Sequence, residues 1–250
     1  MSDALLRTEA VTKKFGPLTA VDDVSLSVPA GEITSIIGPN GAGKTTLFNL
    51  FTGKHEPTDG HIEFRDERID GEDPHDIVSR GIVRSFQITN FFDDLTALEN
   101  VRLATQARHS GFGVSDFVRH YNSLDGALDD AEAALERIGL GHVADRKASN
   151  LSYGQRRHLE IGIALAADPD LLLMDEPTAG MSPEETVETV ELIERIAEDI
   201  TIVLIEHDME IVMDISDHIA VMNGGELLAW GPPAEIREDE RVQKAYLGGG

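Results

Sequence analysis

Eight residues, Gly38-Pro39-Asn40-Gly41-Ala42-Gly43-Lys44-Thr45, follow the pattern G-x-x-x-x-G-K-T. That pattern suits one chemistry, the cradling of a polyphosphate. Its glycines let the backbone curl until successive N–H groups face one cluster of anionic oxygens. The helix expected after them points its positive end at the same place. Lys44 supplies a point charge for the β- and γ-phosphates, and the Thr45 hydroxyl can ligate Mg²⁺. Thr46 joins them as the next residue of the phosphate-binding run. A chance match occurs in about one chain of this length in a hundred. A position between a strand and a helix makes chance a poorer explanation here, so ATP is the expected ligand.

A phosphate cradle needs an acidic partner for the metal. Leu171-Leu172-Leu173-Met174-Asp175-Glu176 ends an apolar run on two acids. Asp175 is placed to hold Mg²⁺, as in the Walker B pattern. Glu176, one residue on, stands where it could orient or deprotonate an attacking water. Taken alone, the pair also fits an ordinary strand-to-loop junction; the phosphate loop favours the metal reading. Ser152 and Gln155 form a Ser-x-x-Gln capping box, which starts a helix whether or not it does anything more.

These residues need elements to position them. Val24–Val28 and Ile62–Phe64 alternate like half-buried strands. Ile33–Ile37 reads as a buried strand that runs into the glycine-rich turn. Residues Thr46–Thr52 then place Leu47, Phe48, Leu50 and Phe51 on one helical face, with Gly53 as the C′ residue. The stretch from Leu95 to Leu140 is mostly helical, with Ala131, Leu135 and Ile138 on one side of Asp129–Ile138 and a loop over Ser110–Ser115. Leu171–Met174 and Thr201–Ile205 are buried strands bracketed by helices. The helix between them starts at Ser182 (N-cap), Pro183 (N1) and Glu185 (N3). Ile219–Met222 and Glu226–Trp230 form a hairpin across Asn223-Gly224. Strands alternating with helices imply an α/β fold whose sheet is parallel at its centre, with the helical middle inserted into it.

Composition narrows the field. The chain has 250 residues, no cysteine, and no apolar run near the length of a membrane helix. Its first residues carry no basic region leading into an apolar stretch, so no secretory signal is expected. Against 46 acids stand 21 bases, for a net charge of −25. Only six bases are lysines: Lys13, Lys14, Lys44, Lys54, Lys147 and Lys244. Such a field opposes nucleic-acid phosphates and anionic lipid. It also strains the folded state by self-repulsion, which salt relieves. A very salty cytoplasm is therefore the expected setting, with solubility as the plainer explanation.

Leu151-Ser152-Tyr153-Gly154-Gln155, 20 residues before Asp175, resembles the signature sequence of ATP-binding cassette (ABC) proteins, the soluble ATPases of ABC transporters. The resemblance covers about residues 5 to 247. It implies a P-loop NTPase cassette with a RecA-like parallel core, an N-terminal antiparallel β subdomain and a helical subdomain inserted at about 91–157, all in one domain over 1–250. It also assigns further residues. Phe15 matches the aromatic that stacks on adenine. Gln87 matches the glutamine that senses Mg²⁺ and contacts the transmembrane partner. His207 matches the switch histidine on the γ-phosphate. Ser152, Gly154 and Gln155 would meet the γ-phosphate of ATP held by a second cassette. The catalytic set is then Lys44, Glu176 and His207; the metal set is Thr45, Gln87 and Asp175; the nucleotide set is Phe15, Gly38, Pro39, Asn40, Gly41, Ala42, Gly43, Lys44, Thr45, Thr46, Gln87, Ser152, Gly154 and Gln155.

Within the family the chain resembles the ATP-binding subunit of branched-chain amino-acid importers, through Leu151–Arg157, Ile205–Met209 and Lys244–Gly248. Two positions depart from the general pattern: Tyr153 replaces a common Gly, and Ser182 stands where many cassettes have Asp. The resemblance implies ATP and Mg²⁺ as cofactors and permease subunits and a second ABC ATPase as partners. It further implies a substrate-binding protein acting indirectly, no nucleic acid, and a peripheral place on the cytoplasmic face of the cell membrane. Urea or amide import, lipid or lipopolysaccharide export, a soluble ATPase of DNA repair or translation, and a regulatory subunit without turnover are the alternatives.

Overall fold

Residues 4–85, 91–109 and 116–247 are described by the computed structural model. They divide into two compact units. The first comprises residues 1–83, 170–177 and 193–250, and the second 84–169 and 178–192.

The first unit carries the sheets. Strands β1 (Ala4–Phe15), β2 (Leu18–Pro29), β4 (Asp59–Phe64) and β5 (Glu67–Arg68) make a four-stranded antiparallel sheet in the order β2-β1-β4-β5. The alternation read from the sequence is real: Val24, Leu26 and Val28 are buried, and Ser25 is exposed. A second, six-stranded sheet runs β10-β9-β3-β8-β7-β6. Its members are β3 (Ile33–Ile37), β6 (Ile82–Arg84), β7 (Leu171–Asp175), β8 (Thr201–Ile205), β9 (His218–Asn223) and β10 (Glu226–Gly231). Strands β9, β3, β8 and β7 pair in parallel, and β10 runs antiparallel beside β9.

Both faces of the parallel strands are covered, which is why they read as unbroken apolar runs. Ile36, Leu171, Leu173, Val203, Ile205, Ala220 and Met222 join one core with Leu6, Val24, Leu26, Ile62 and Phe64 of the first sheet. Helix α1 (Lys44–Phe51) supplies Leu47, Phe48, Leu50 and Phe51 to that core. Full burial of each such side chain is worth about 1.5–3 kcal/mol. Ile37, Ile219 and Val221 point the other way, onto Val212, Ile236 and Val242.

Two boundaries differ from expectation. Helix α1 begins at Lys44 rather than Thr46, because the phosphate loop closes with a helical turn of its own, Leu47 N–H to Gly43 carbonyl at 2.9 Å. The hairpin turns on Gly224-Gly225 rather than Asn223-Gly224. Asn223 pairs with Glu226 in the ladder, and both turn residues have positive φ, 61° and 92°, as a type I′ turn requires. Gly53 has φ 68°, as its C′ position demands.

The second unit is helical. It contains α3 (Ala97–His109), α4 (Asp116–Arg137) and α5 (Tyr153–Leu165), following the short α2 (Pro74–Ser79) of the first unit. The expected face of Ala131, Leu135 and Ile138 is buried. Gly162 of α5 admits Ile138, whose Cδ1 would collide with a Cβ there at 2.4 Å. The loop expected at Ser110–Ser115 lies outside the described residues. Helix α6 (Pro183–Ala197) begins in this unit and ends in the first; α7 (Met209–Ile215), α8 (Pro233–Glu238) and α9 (Glu240–Leu247) complete the chain.

Candidate functional site

Parallel strands end at the same edge, so whatever follows them is gathered there. Ile36 pairs with Ile205, and Asp175 pairs with Ile205 on the other side. The carboxyl ends of β3, β8 and β7 are thus level. The phosphate loop leaves β3, Asp175 closes β7, and His207 lies in the link between β8 and α7.

The loop is built on its glycines. Gly38, Gly41 and Gly43 have φ 151°, 80° and 101°. A Cβ on Gly43 would fall 2.4 Å from the Ala20 carbonyl oxygen, and one on Gly38 would fall 2.2 Å from that of Met222. Ala42 N–H donates to the Pro39 carbonyl at 3.1 Å, and Gly225 N–H to the Ala42 carbonyl at 3.1 Å, which ties the loop to the hairpin turn. Asn40, Thr45 and Thr46 are solvent-accessible at the rim, while Ala42 is buried.

Lys44 is the buried cation of the site, 6 % exposed. Its Nζ donates to the Gly38 and Pro39 carbonyls at 2.6 and 3.2 Å. Burial lowers its pKa below the ordinary lysine value, opposed by the charges of Glu176 and Asp175. Asp175 is itself buried, at 1 % exposure. A carboxylate at that depth needs cationic company. Asp175 and the Thr45 hydroxyl offer hard oxygen donors of the kind that could hold Mg²⁺. The third expected ligand, Gln87, lies outside the described residues.

Glu176 continues the ladder one residue past β7, its N–H donating to the Ile205 carbonyl at 2.8 Å. Its φ is 48°, a left-handed conformation that costs a non-glycine residue about 1–2 kcal/mol. The turn aims the side chain at His207, whose Nε2 lies 2.9 Å from Glu176 Oε1. His207 is held in turn by its own N–H, which donates to Glu206 Oε2 at 3.0 Å. Glu206 is buried, although in the sequence it reads as one more acid beside a histidine. So the structure pairs His207 with Glu176 directly.

Phe15 ends β1 and is 42 % exposed. The His55 ring meets it edge-on at 5.2 Å, and Lys13 Nζ sits 5.3 Å from its centroid. The side chain is thus partly exposed, with a cation over its ring.

Ser152, Gly154 and Gln155 belong to the helical unit. Ser152 Oγ accepts the Gln155 N–H at 3.2 Å, and Gln155 Oε1 accepts the Ser152 N–H at 3.1 Å, so the expected capping box is formed. Tyr153, in place of a glycine, donates its hydroxyl to the Ala179 carbonyl at 3.0 Å. Ser182, in place of an aspartate, accepts the Glu185 N–H at 3.3 Å as the expected cap of α6. What the sequence did not reveal is that Glu185 also accepts the Gly154 N–H, at 3.0 Å across 31 residues. Among the described residues no helix is long and apolar enough to cross a membrane.

Comparison with known proteins identifies the family. The ABC transporter family matches residues 21–179, and a second family, the branched-chain amino acid ATP-binding cassette transporter, matches residues 226–250. The high-affinity branched-chain amino acid transport ATP-binding protein LivG of Escherichia coli (strain K12) is 45% identical over 255 residues, 99% of each chain. Its counterpart BraF of Pseudomonas aeruginosa is 43% identical over 254 residues, again 99% of each. Among solved structures, an ATP-binding cassette of an ABC transporter in its ADP conformation superposes with a TM-score of 0.85 at 34% identity, covering 99% of this chain and 100% of its own. A dimeric cassette in a post-hydrolysis state, bound to ADP and Pi, gives a TM-score of 0.75 at 26% identity, covering 91% and 98%.

Proposed function

The chain belongs to the ABC transporter ATP-binding family, and from that premise we propose that it is the ATP-hydrolysing subunit of an importer of branched-chain or other hydrophobic amino acids. The observation that carries the hydrolytic part is the convergence at the carboxyl edge of β3, β8 and β7. Lys44, Asp175, Glu176 and His207 all lie there, with the last two 2.9 Å apart. The amino-acid part is supported by likeness to LivG and BraF along almost the whole chain, and by the C-terminal match at 226–250.

The chemistry is phosphoryl transfer to water, in which the protein mainly positions groups and stabilises charge. Lys44 releases its bonds to the Gly38 and Pro39 carbonyls and turns its ammonium to the γ-phosphate. The N–H groups of the loop face the same oxygens. Glu176, fixed by His207, takes the proton of the attacking water. His207 then carries the contact to the γ-phosphate side. Thr45, Asp175 and Gln87 would hold Mg²⁺, which supplies charge neutralisation for the phosphates when bound. Phe15 stacks on adenine. Ser152, Gly154 and Gln155 meet the ATP of a second cassette, alike or merely similar, placed head to tail.

In this reading residues 1–250 form one cassette domain, with the helical unit inserted in the α/β core. It sits on the cytoplasmic face of the membrane against permease subunits, which receive substrate from a binding protein. The negative charge suits a very salty cytoplasm. The test is Glu176→Gln, which should cut ATP turnover by about 10²-fold or more while preserving ATP-dependent association. Normal phosphate release by that variant would remove Glu176 from its role.

A further inference from the structure

Helix α5 opens on the signature segment, and its N-terminus is engaged from two sides. From within, Ser152 and Gln155 satisfy each other. From α6, Glu185 reaches across: Oε1 accepts the Gly154 N–H at 3.0 Å, while Oε2 accepts the Ser182 N–H at 3.1 Å. One carboxylate therefore serves its own capping box and the first turn of a second helix. These two backbone donors hold its pKa below the ordinary carboxylate value, so it is ionised. Gly154 is shaped to receive it, since a Cβ there would lie 2.9 Å from Oε1 and 3.1 Å from Cδ. A side chain at position 154 would push the Glu185 carboxylate aside, so the glycine leaves room for this contact.

We propose that Glu185 is a positioning residue that competes with nucleotide: its carboxylate holds the Gly154 N–H that the γ-phosphate carried by a second cassette must take. The inference rests on the reading that Ser152–Gln155 meets the partner's ATP. One N–H bonds one anion well, and two anions at one helix N-terminus repel each other. Closure on ATP therefore requires Glu185 to swing off Gly154. Its bond to Ser182 and the Ser182 cap remain, so the swing gives up one hydrogen bond and leaves α6 capped. The device keeps the signature segment from closing on weaker anions and sets a threshold for ATP.

The test uses the full chain carrying Glu176→Gln and follows ATP-dependent association by light scattering. Adding Glu185→Gln keeps the side chain's length and removes its charge. The ATP concentration for half-maximal association should fall about three- to tenfold, the difference between a charge-assisted hydrogen bond and the neutral one that a glutamine oxygen can still make. A role confined to holding α5 in shape predicts the opposite sign, because a loosened signature segment needs more ATP. An unchanged or raised requirement, in a protein melting within about 2 °C of its parent, overturns the proposal. Should Glu185→Gln fail to fold, Glu185→Asp supplies the same reading. Its shorter arm keeps Ser182 but does not reach Gly154, and the requirement should again fall; no fall overturns the proposal. If the Glu176→Gln parent does not associate at any ATP concentration, the closure reading falls and this inference falls with it.

Discussion

At the scale of single residues, the site works by placing charges where solvent cannot blunt them. Lys44 is buried and already gives up its donors to two carbonyls of its own loop. Exchanging those partners for phosphate oxygens leaves no donor unsatisfied, so its stem is held ready rather than ordered on binding. Lys44→Ala should weaken ATP binding about tenfold or more, by loss of a charge-assisted contact in a dry site. Titration with a fluorescent ATP analogue would check it, and affinity within about twofold of wild type would exclude Lys44 from the phosphate cradle. Glu176 shows a different device. Its left-handed backbone is a local strain that aims the carboxylate at His207. The pattern Asp175-Glu176 was legible as chemistry, because a chain with a phosphate loop needs an acid for the metal and an apolar run ending in two acids supplies it. Its partnership with His207 was not, since 31 residues separate them and only strand register closes the gap.

At the scale of elements, the turn from β3 into α1 depends on contacts that a glycine alone permits. Gly41 and Gly43 both have positive φ, yet their surroundings differ: a Cβ on Gly41 would meet nothing within 4 Å, whereas one on Gly43 would strike the Ala20 carbonyl at 2.4 Å. Gly41→Ala should therefore cost about 1 kcal/mol, the conformational strain alone. Gly43→Ala should cost about 2–4 kcal/mol, since backbone must move as well. Urea denaturation of the two variants would separate them, and equal midpoints would contradict the account. The helix starts at Ser152 and Ser182 were readable because capping boxes are local, four-residue patterns. The hairpin turn slipped by one residue, as Asn223-Gly224 and Gly224-Gly225 both satisfy the local turn chemistry. Pairing of Asn223 with Glu226 selects the second.

For the whole molecule, charge is the dominant property. Ion pairs among the described residues are mostly at the surface, such as Arg7 with Glu63 and Lys244 with Glu240. Exposed pairs of this kind contribute little each. They do not offset a net charge of −25. The midpoint of thermal unfolding should rise by at least about 5 °C between about 0.1 M and about 2 M KCl, as screening shortens the reach of repulsion. A midpoint independent of KCl would show that the acidic surface serves solubility alone. The phosphate loop, the acid pair, the buried strands and the helix starts at Ser152 and Ser182 could all be read from the chain alone, because each is a local pattern set by backbone geometry or by burial on both faces. Folding adds that β3, β8 and β7 end level, that His207 meets Glu176, and that Glu185 closes on Gly154. Those contacts join residues far apart in the chain, and no local periodicity encodes which distant partner a side chain will find.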